Sequence, residues 1–177
     1  ACGNTGYVEK GEQIHEEVLK RGLLKHDCVL GTALVDMYAK CGVPAKAHQI
    51  LLDGLPWQTV ASWNAVISGY AQQDCGDFSL QIFRQMQIEG IEADKVTFMS
   101  VLKACSTIST VDQVRFIHSQ IIQMDLGSSE QIGSILIDVY AKCKSVQAAE
   151  EIFNKLTCKD SVLWNTIISA HVNEGSV

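Results

Sequence analysis

The sequence predicts an all-α fold, a right-handed α-solenoid superhelix of about ten helices stacked as antiparallel pairs. Three observations predict it. No segment sustains apolar–polar alternation at a period of two, so no strand is expected. Apolar residues recur instead at the spacing of one helix face, as in Trp63, Val66, Ile67 and Tyr70. Finally, the chain repeats itself. Leu34–Gly42 reads LVDMYAKCG and Leu136–Lys144 reads LIDVYAKCK, with their cysteines 102 residues apart. Ile14-His15 recurs as Ile117-His118 at a step of 103, and Trp63 recurs as Trp164 at a step of 101.

Helices are expected at 8–21, 29–41, 44–54, 61–73, 76–89, 95–106, 110–124, 131–143, 146–156 and 162–173. The first carries Ile14-His15. The second carries the stripe Ala33, Leu34, Met37, Tyr38 and Cys41, and stops at Gly42. Pro44 opens the third, which stops at Gly54 and Pro56. The fourth is the Trp63 stripe, and the fifth ends at Gly90. Phe98, Val101, Leu102 and Cys105 mark the sixth; the seventh carries Ile117-His118 and stops before Gly127. The eighth repeats the second. Ser145 is placed to cap the ninth, whose stripe is Ala149, Ile152, Phe153 and Leu156, and Trp164, Ile167, Ile168 and His171 mark the tenth. One residue is gained before Gly54 relative to the matching Lys155. A helix pair of this length cannot hide its own apolar stripe, so it stacks on its neighbour. The chain opens part way through one unit and closes after an unpaired first helix, which reads as a piece of a longer array.

Composition narrows the chemistry. Hydrophobic residues make up 47%, enough for a packed core, and no run of eighteen apolar residues crosses a membrane. The net charge of −6 argues against a partner held by bulk attraction to phosphates, while leaving room for a local basic face. None of the seven cysteines forms a C-x-x-C pair, and equivalent ones recur at equivalent helix positions. They read as small buried hydrophobes. No phosphate-cradling glycine loop, H-E-x-x-H or zinc-deaminase signature is present, so the chain is expected not to be an enzyme and to need no cofactor or metal. Trp63 and Trp164 read as core, and His15 and His118 as interhelix packing or hydrogen-bonding residues.

The quoted stretches, together with SVLKACSTISTVDQVRFIHSQII and VASWNAVISGYAQQDCGDFSLQIFRQMQIEGIEAD, resemble the pentatricopeptide repeat family in its plant form that mixes long, short and standard units. Tetratricopeptide arrays share the architecture but not this vocabulary. The resemblance spans the chain. It divides it into a partial long unit 1–27, a short unit 28–59, a standard unit 60–94, a long unit 95–129, a short unit 130–160 and a truncated standard unit 161–177.

The resemblance implies sequence-specific binding of single-stranded RNA, about one base per repeat, read by the fifth and last residues of each unit. These are Asn64 with Asp94, Ser134 with Asp160, and Thr32 with Thr59; the final unit supplies Asn165 alone. By the family code the first pair implies uracil, the second guanine, the third a purine, and Asn165 a pyrimidine. Met99 and Ser129 occupy the positions in the long unit, where the thioether is too weak a hydrogen-bonding group to read a base. Second residues Val29, Ala61, Val96, Gln131 and Val162 are expected to pack against base faces, and Lys40, Lys103 and Lys142 are candidates for phosphate contact. On the residues alone, Asn64 and Asn165 are equally helix-capping groups, Asp94 and Asp160 turn residues, and the lysines solvated surface. The implied setting is a mitochondrion or chloroplast, with organellar RNA as partner and C-to-U editing directed through editing cofactors or a deaminase domain in cis or trans. The competing classes are a helical protein-interaction scaffold and a structural component of an organellar ribonucleoprotein.

Overall fold

A computed structural model describes residues 5–25, 27–54, 58–108, 110–127 and 129–175. Pro56 and Cys2 lie outside the described residues. All regular structure among them is helical: α1 (Thr5–Lys20), α2 (Cys28–Lys40), α3 (Pro44–Gln49), α4 (Val60–Gln72), α5 (Gly76–Ile88), α6 (Lys95–Ile108), α7 (Val111–Gln123), α8 (Glu130–Lys142), α9 (Val146–Lys155) and α10 (Ser161–Gly175). The chain forms two compact units, 1–97 and 98–177.

In the first unit α2 packs on α3, α4 on α5, and α2 and α3 on α4. Its core is Val35, Tyr38, Leu51, Trp63, Val66, Ile67, Phe83 and Met86. In the second, α7 packs on α8, α8 on α9, and α10 on both α8 and α9, around Ile121, Ile132, Leu136, Ile137, Tyr140 and Ala149. Three-residue turns reverse the chain within the pairs α2–α3, α4–α5 and α8–α9. Each turn closes the same way: an N–H returns to the carbonyl five residues back, from Val43 to Tyr38, Cys75 to Tyr70 and Ser145 to Tyr140. Each has a left-handed residue just past the helix, namely Gly42, Asp74 or Lys144. Only Gly42 adopts that conformation without steric cost.

The inserted residue of the first copy has a visible home. Beyond α3 the backbone continues over Ile50–Gly54 as a wider π turn, which takes up one extra residue while keeping Ile50 and Leu51 in the core.

Two sequence expectations are corrected. Ser145 sits at the N-cap of α9, but its side chain makes no capping bond. On α10 the buried face is Leu163, Ile167 and Ala170, so Trp164, Ile168 and His171 stand outward. Trp164 is 50% exposed, its ring edge-on to Phe153 at 4.8 Å between centroids. Its counterpart Trp63 is 0% exposed, on a helix with α5 packed against it, a neighbour that α10 lacks among the described residues.

Candidate functional site

The residue that ends each proposed unit begins the next helix. Asp27 Oδ1 accepts from the N–H groups of Val29 and Leu30 at the start of α2, and Asp160 Oδ1 from that of Leu163 in α10. Thr59 and Ser62 cap α4 reciprocally, with Ser62 N–H donating to Thr59 Oγ1 at 3.2 Å and Thr59 N–H to Ser62 Oγ at 3.0 Å. Asp94 and Thr97 repeat that box on α6, at 2.9 and 3.1 Å. Ser129 occupies the same place before α8 without a side-chain bond. Satisfying the open N–H groups of a helix start therefore fixes where the last side chain lies at Asp27, Thr59, Asp94 and Asp160, but not at Ser129.

The Asn64–Asp94 pair is joined. Asn64 Nδ2 donates to Asp94 Oδ1 at 3.0 Å, and the Thr97 hydroxyl donates to Asn64 Oδ1 at 2.6 Å. Asn64 is 8% exposed, Thr97 is buried, and Asp94 is at the surface. Burial pushes the Asp94 carboxyl up, but the Thr97 N–H and the Asn64 amide hold it below the usual carboxylate range. Thr32 and Thr59 also meet, their hydroxyl oxygens 3.3 Å apart, although Thr32 donates to the carbonyl of Cys28. Ser134 and Asp160 are not joined by a hydrogen bond: the Ser134 hydroxyl returns to the Glu130 carbonyl, and Asp160 is engaged as a cap. Met99 and Ser129 are both half-buried.

All five second residues are exposed, Val29 at 74%, Val96 at 54% and Val162 at 66%, with Ala61 and Gln131 alongside. Three β-branched apolar side chains at one register thus remain in solvent. In the second unit a groove of about 380 Å³ runs between α8 and α10, lined by Asp138, Lys142, Val162, Asn165, Thr166 and Ser169 among others. It brings together a second residue, a fifth residue and a phosphate candidate. Lys142 is not unopposed there: its ammonium lies 2.7 Å from Asp138, as Lys40 lies 2.6 Å from Asp36. Lys103 is exposed and in no ion pair among the described residues. The i, i+4 Asp–Lys spacing was legible in DMYAK and DVYAK, and it neutralises two of the three lysines expected to meet phosphate.

His15 and His118 explain the IH and YAK motifs jointly. His15 Nδ1 lies 3.3 Å from the Tyr38 hydroxyl and His118 Nδ1 lies 3.1 Å from that of Tyr140, with rings edge-on in both. Burial first, and then Lys46 and Lys155 respectively, lower both imidazole pKa values. The unfolded chain therefore takes up these protons first as pH falls. The stability they favour is complete above about pH 6.5 and declines below it, towards the lowered folded values. The urea midpoint is expected to drop between pH 7.5 and 5.5, and a His15→Gln/His118→Gln variant to flatten that drop, as read by denaturation across the range.

Cysteines follow position rather than one rule. Cys105 is buried and its thiol is pushed up to about 12, chiefly by that burial. Cys41 and Cys143, the equivalent pair expected to be buried, are half-buried, and Cys28 and Cys158 are exposed. No cluster of His, Cys, Asp and Glu suited to a metal ion occurs among the described residues, and none of their helices is long and apolar enough to cross a membrane.

Comparison with known proteins decides the lineage of this arrangement. Residues 58–107 match the model of the PPR repeat family, and residues 134–160 that of the PPR repeat. Pentatricopeptide repeat-containing protein At2g33680 of Arabidopsis thaliana is 38% identical over 175 residues, 99% of this chain. This chain belongs to the pentatricopeptide repeat family. A second Arabidopsis thaliana member, At1g11290, described as chloroplastic, is 35% identical over 95% of the chain. The chain spans 24% and 20% of these two relatives' lengths. Among solved structures, the pentatricopeptide repeat protein PPR10 from maize shares the fold with a TM-score of 0.69 at 22% identity, over 94% of this chain and 24% of that one. PPR10 has also been crystallised with an 18-nt psaJ RNA element, with a TM-score of 0.65.

Proposed function

We propose that this pentatricopeptide repeat chain binds single-stranded RNA and reads about one base per unit, through the fifth and last residues of the partition given above. The observation that carries this is the groove between α8 and α10. Val162 offers an apolar face, Asn165 an amide, and Lys142 a cation within one cleft of about 380 Å³. Exposed valines at the same register and the joined Asn64–Asp94 pair support the same reading. RNA-bound PPR10 and the chloroplastic relative support placing it in organellar RNA processing. There the chain acts as a specificity module, with C-to-U editing chemistry supplied by another domain or protein.

The test is a titration of the chain with short single-stranded RNAs at several salt concentrations, alongside single-stranded DNA of the same sequence. RNA binding with base preference supports the reading. Absence of RNA binding at low salt, in a chain extended by further repeats, overturns it and favours a protein partner. Asp138 offsets the charge that Lys142 presents to a phosphate in this groove. Asp138→Asn is therefore expected to tighten binding at low salt and to steepen the salt dependence by about 0.7 in the log–log slope, the contribution of one phosphate contact on a single strand.

A further inference from the structure

We propose that Thr97 is a positioning residue that sets base specificity at the Asn64–Asp94 pair by consuming the acceptor end of the Asn64 amide. This rests on the reading that Asn64 meets a base. An asparagine amide offers an oxygen acceptor and an N–H₂ donor, and a base with an amino group is bound by the first while a base with a carbonyl is bound by the second. The Thr97 hydroxyl has one proton. Its oxygen already accepts from the Asp94 N–H at 3.1 Å and lies 2.6 Å from Asn64 Oδ1 and 2.9 Å from Asp94 Oδ1; the proton is assigned to the nearer acceptor, Asn64. One N–H of Nδ2 is directed to Asp94 Oδ1. What remains on the amide is its second N–H. The pair then presents a donor from Asn64 and carboxylate oxygen from Asp94, which suits the adjacent carbonyl and imino N–H of uracil and opposes the amino group and ring-nitrogen acceptor of cytosine or adenine.

Thr97 is 0% exposed, so it cannot touch a base itself and acts only through Asn64, which keeps 8% exposure. It differs from the equivalent Ser62, whose hydroxyl returns to the Thr59 carbonyl at 2.8 Å and stays within its own cap. The contact from Thr97 crosses to the preceding helix pair, 33 residues back.

The experiment compares wild type, T97V, T97A, T97S and N64A against RNAs that differ only in the base facing this unit. A second measurement follows the Asn64 side-chain N–H₂ signals by NMR without RNA. Wild type is expected to prefer uracil over adenine about tenfold or more, with N64A losing that preference. T97V and T97A are expected to lose most of the discrimination, with preferences at other positions unchanged and the Asn64 signals shifted; T97S restores both. Thermal melts establish which variants are folded. A folded T97V or T97A that keeps wild-type discrimination, while N64A loses it, overturns the role of Thr97 and leaves base reading intact. Wild type without any preference overturns both.

Discussion

Trp63→Ala is expected to destabilise the chain by about 3–5 kcal/mol, while Trp164→Ala costs about 1–2 kcal/mol. The two tryptophans are sequence equivalents, each in the motif W-N followed by an apolar stripe. Their surroundings differ. Trp63 is fully buried on α4, so truncation removes the transfer energy of a whole indole and leaves a cavity among Val66, Ile67 and the neighbouring helices. Trp164 is half in water, and its loss sacrifices mainly the edge-on contact with Phe153. Urea denaturation followed by circular dichroism measures both. Equal costs would show that the register read for α10 is wrong.

Exchanging uracil for adenine opposite the unit 60–94 is expected to weaken RNA binding by about 1–3 kcal/mol, the range of a good paired contact to a base edge. The magnitude follows from unsatisfied groups. Asp94 is held ionised by the bonds it accepts, so at neutral pH it accepts a proton-bearing ring nitrogen and repels an unprotonated one. Adenine places an acceptor there and leaves the Asn64 N–H facing an amino group. Asn64→Ala should remove the preference and lower the melting temperature, because it takes the Asn64 partner from buried Thr97 and from Asp94, while the chain stays folded. Calorimetry on the two RNAs with both proteins gives the four affinities required. An affinity indifferent to that base would end the code assignment for this pair.

The helices were legible because stripe and breaker agree along most of the chain: α2, α4, α6 and α9 begin and end within a few residues of their expected bounds. The tenth held only in part: Ile167 of the expected stripe is buried, but together with Leu163 and Ala170, which fit a helix face as well as Trp164, Ile168 and His171 do. Periodicity alone does not tell which of two apolar arcs meets a neighbour. At the candidate site, the family resemblance singled out Asn64, Asp94, Thr32 and Thr59, whereas the bonds between them depend on backbone approach. Thr97 was missed because a threonine three residues after an aspartate reads as half of a capping box; the signal for more is that box standing 33 residues beyond an asparagine. Capping and recognition are rival roles for Asp94 on sequence grounds and compatible ones in the fold, because a carboxylate has two oxygens and the cap engages Oδ1.

That double use has a consequence for recombination among such arrays. A crossover between Asp94 and Lys95 would separate α6 from its own Asp94 cap and Asn64 from Thr97 in one cut. A joint placed within α6 beyond Thr97 would carry the Asn64–Asp94–Thr97 trio intact. Shuffled descendants, natural or engineered, should therefore inherit their base preference from the first four residues of the incoming block as much as from the block it follows.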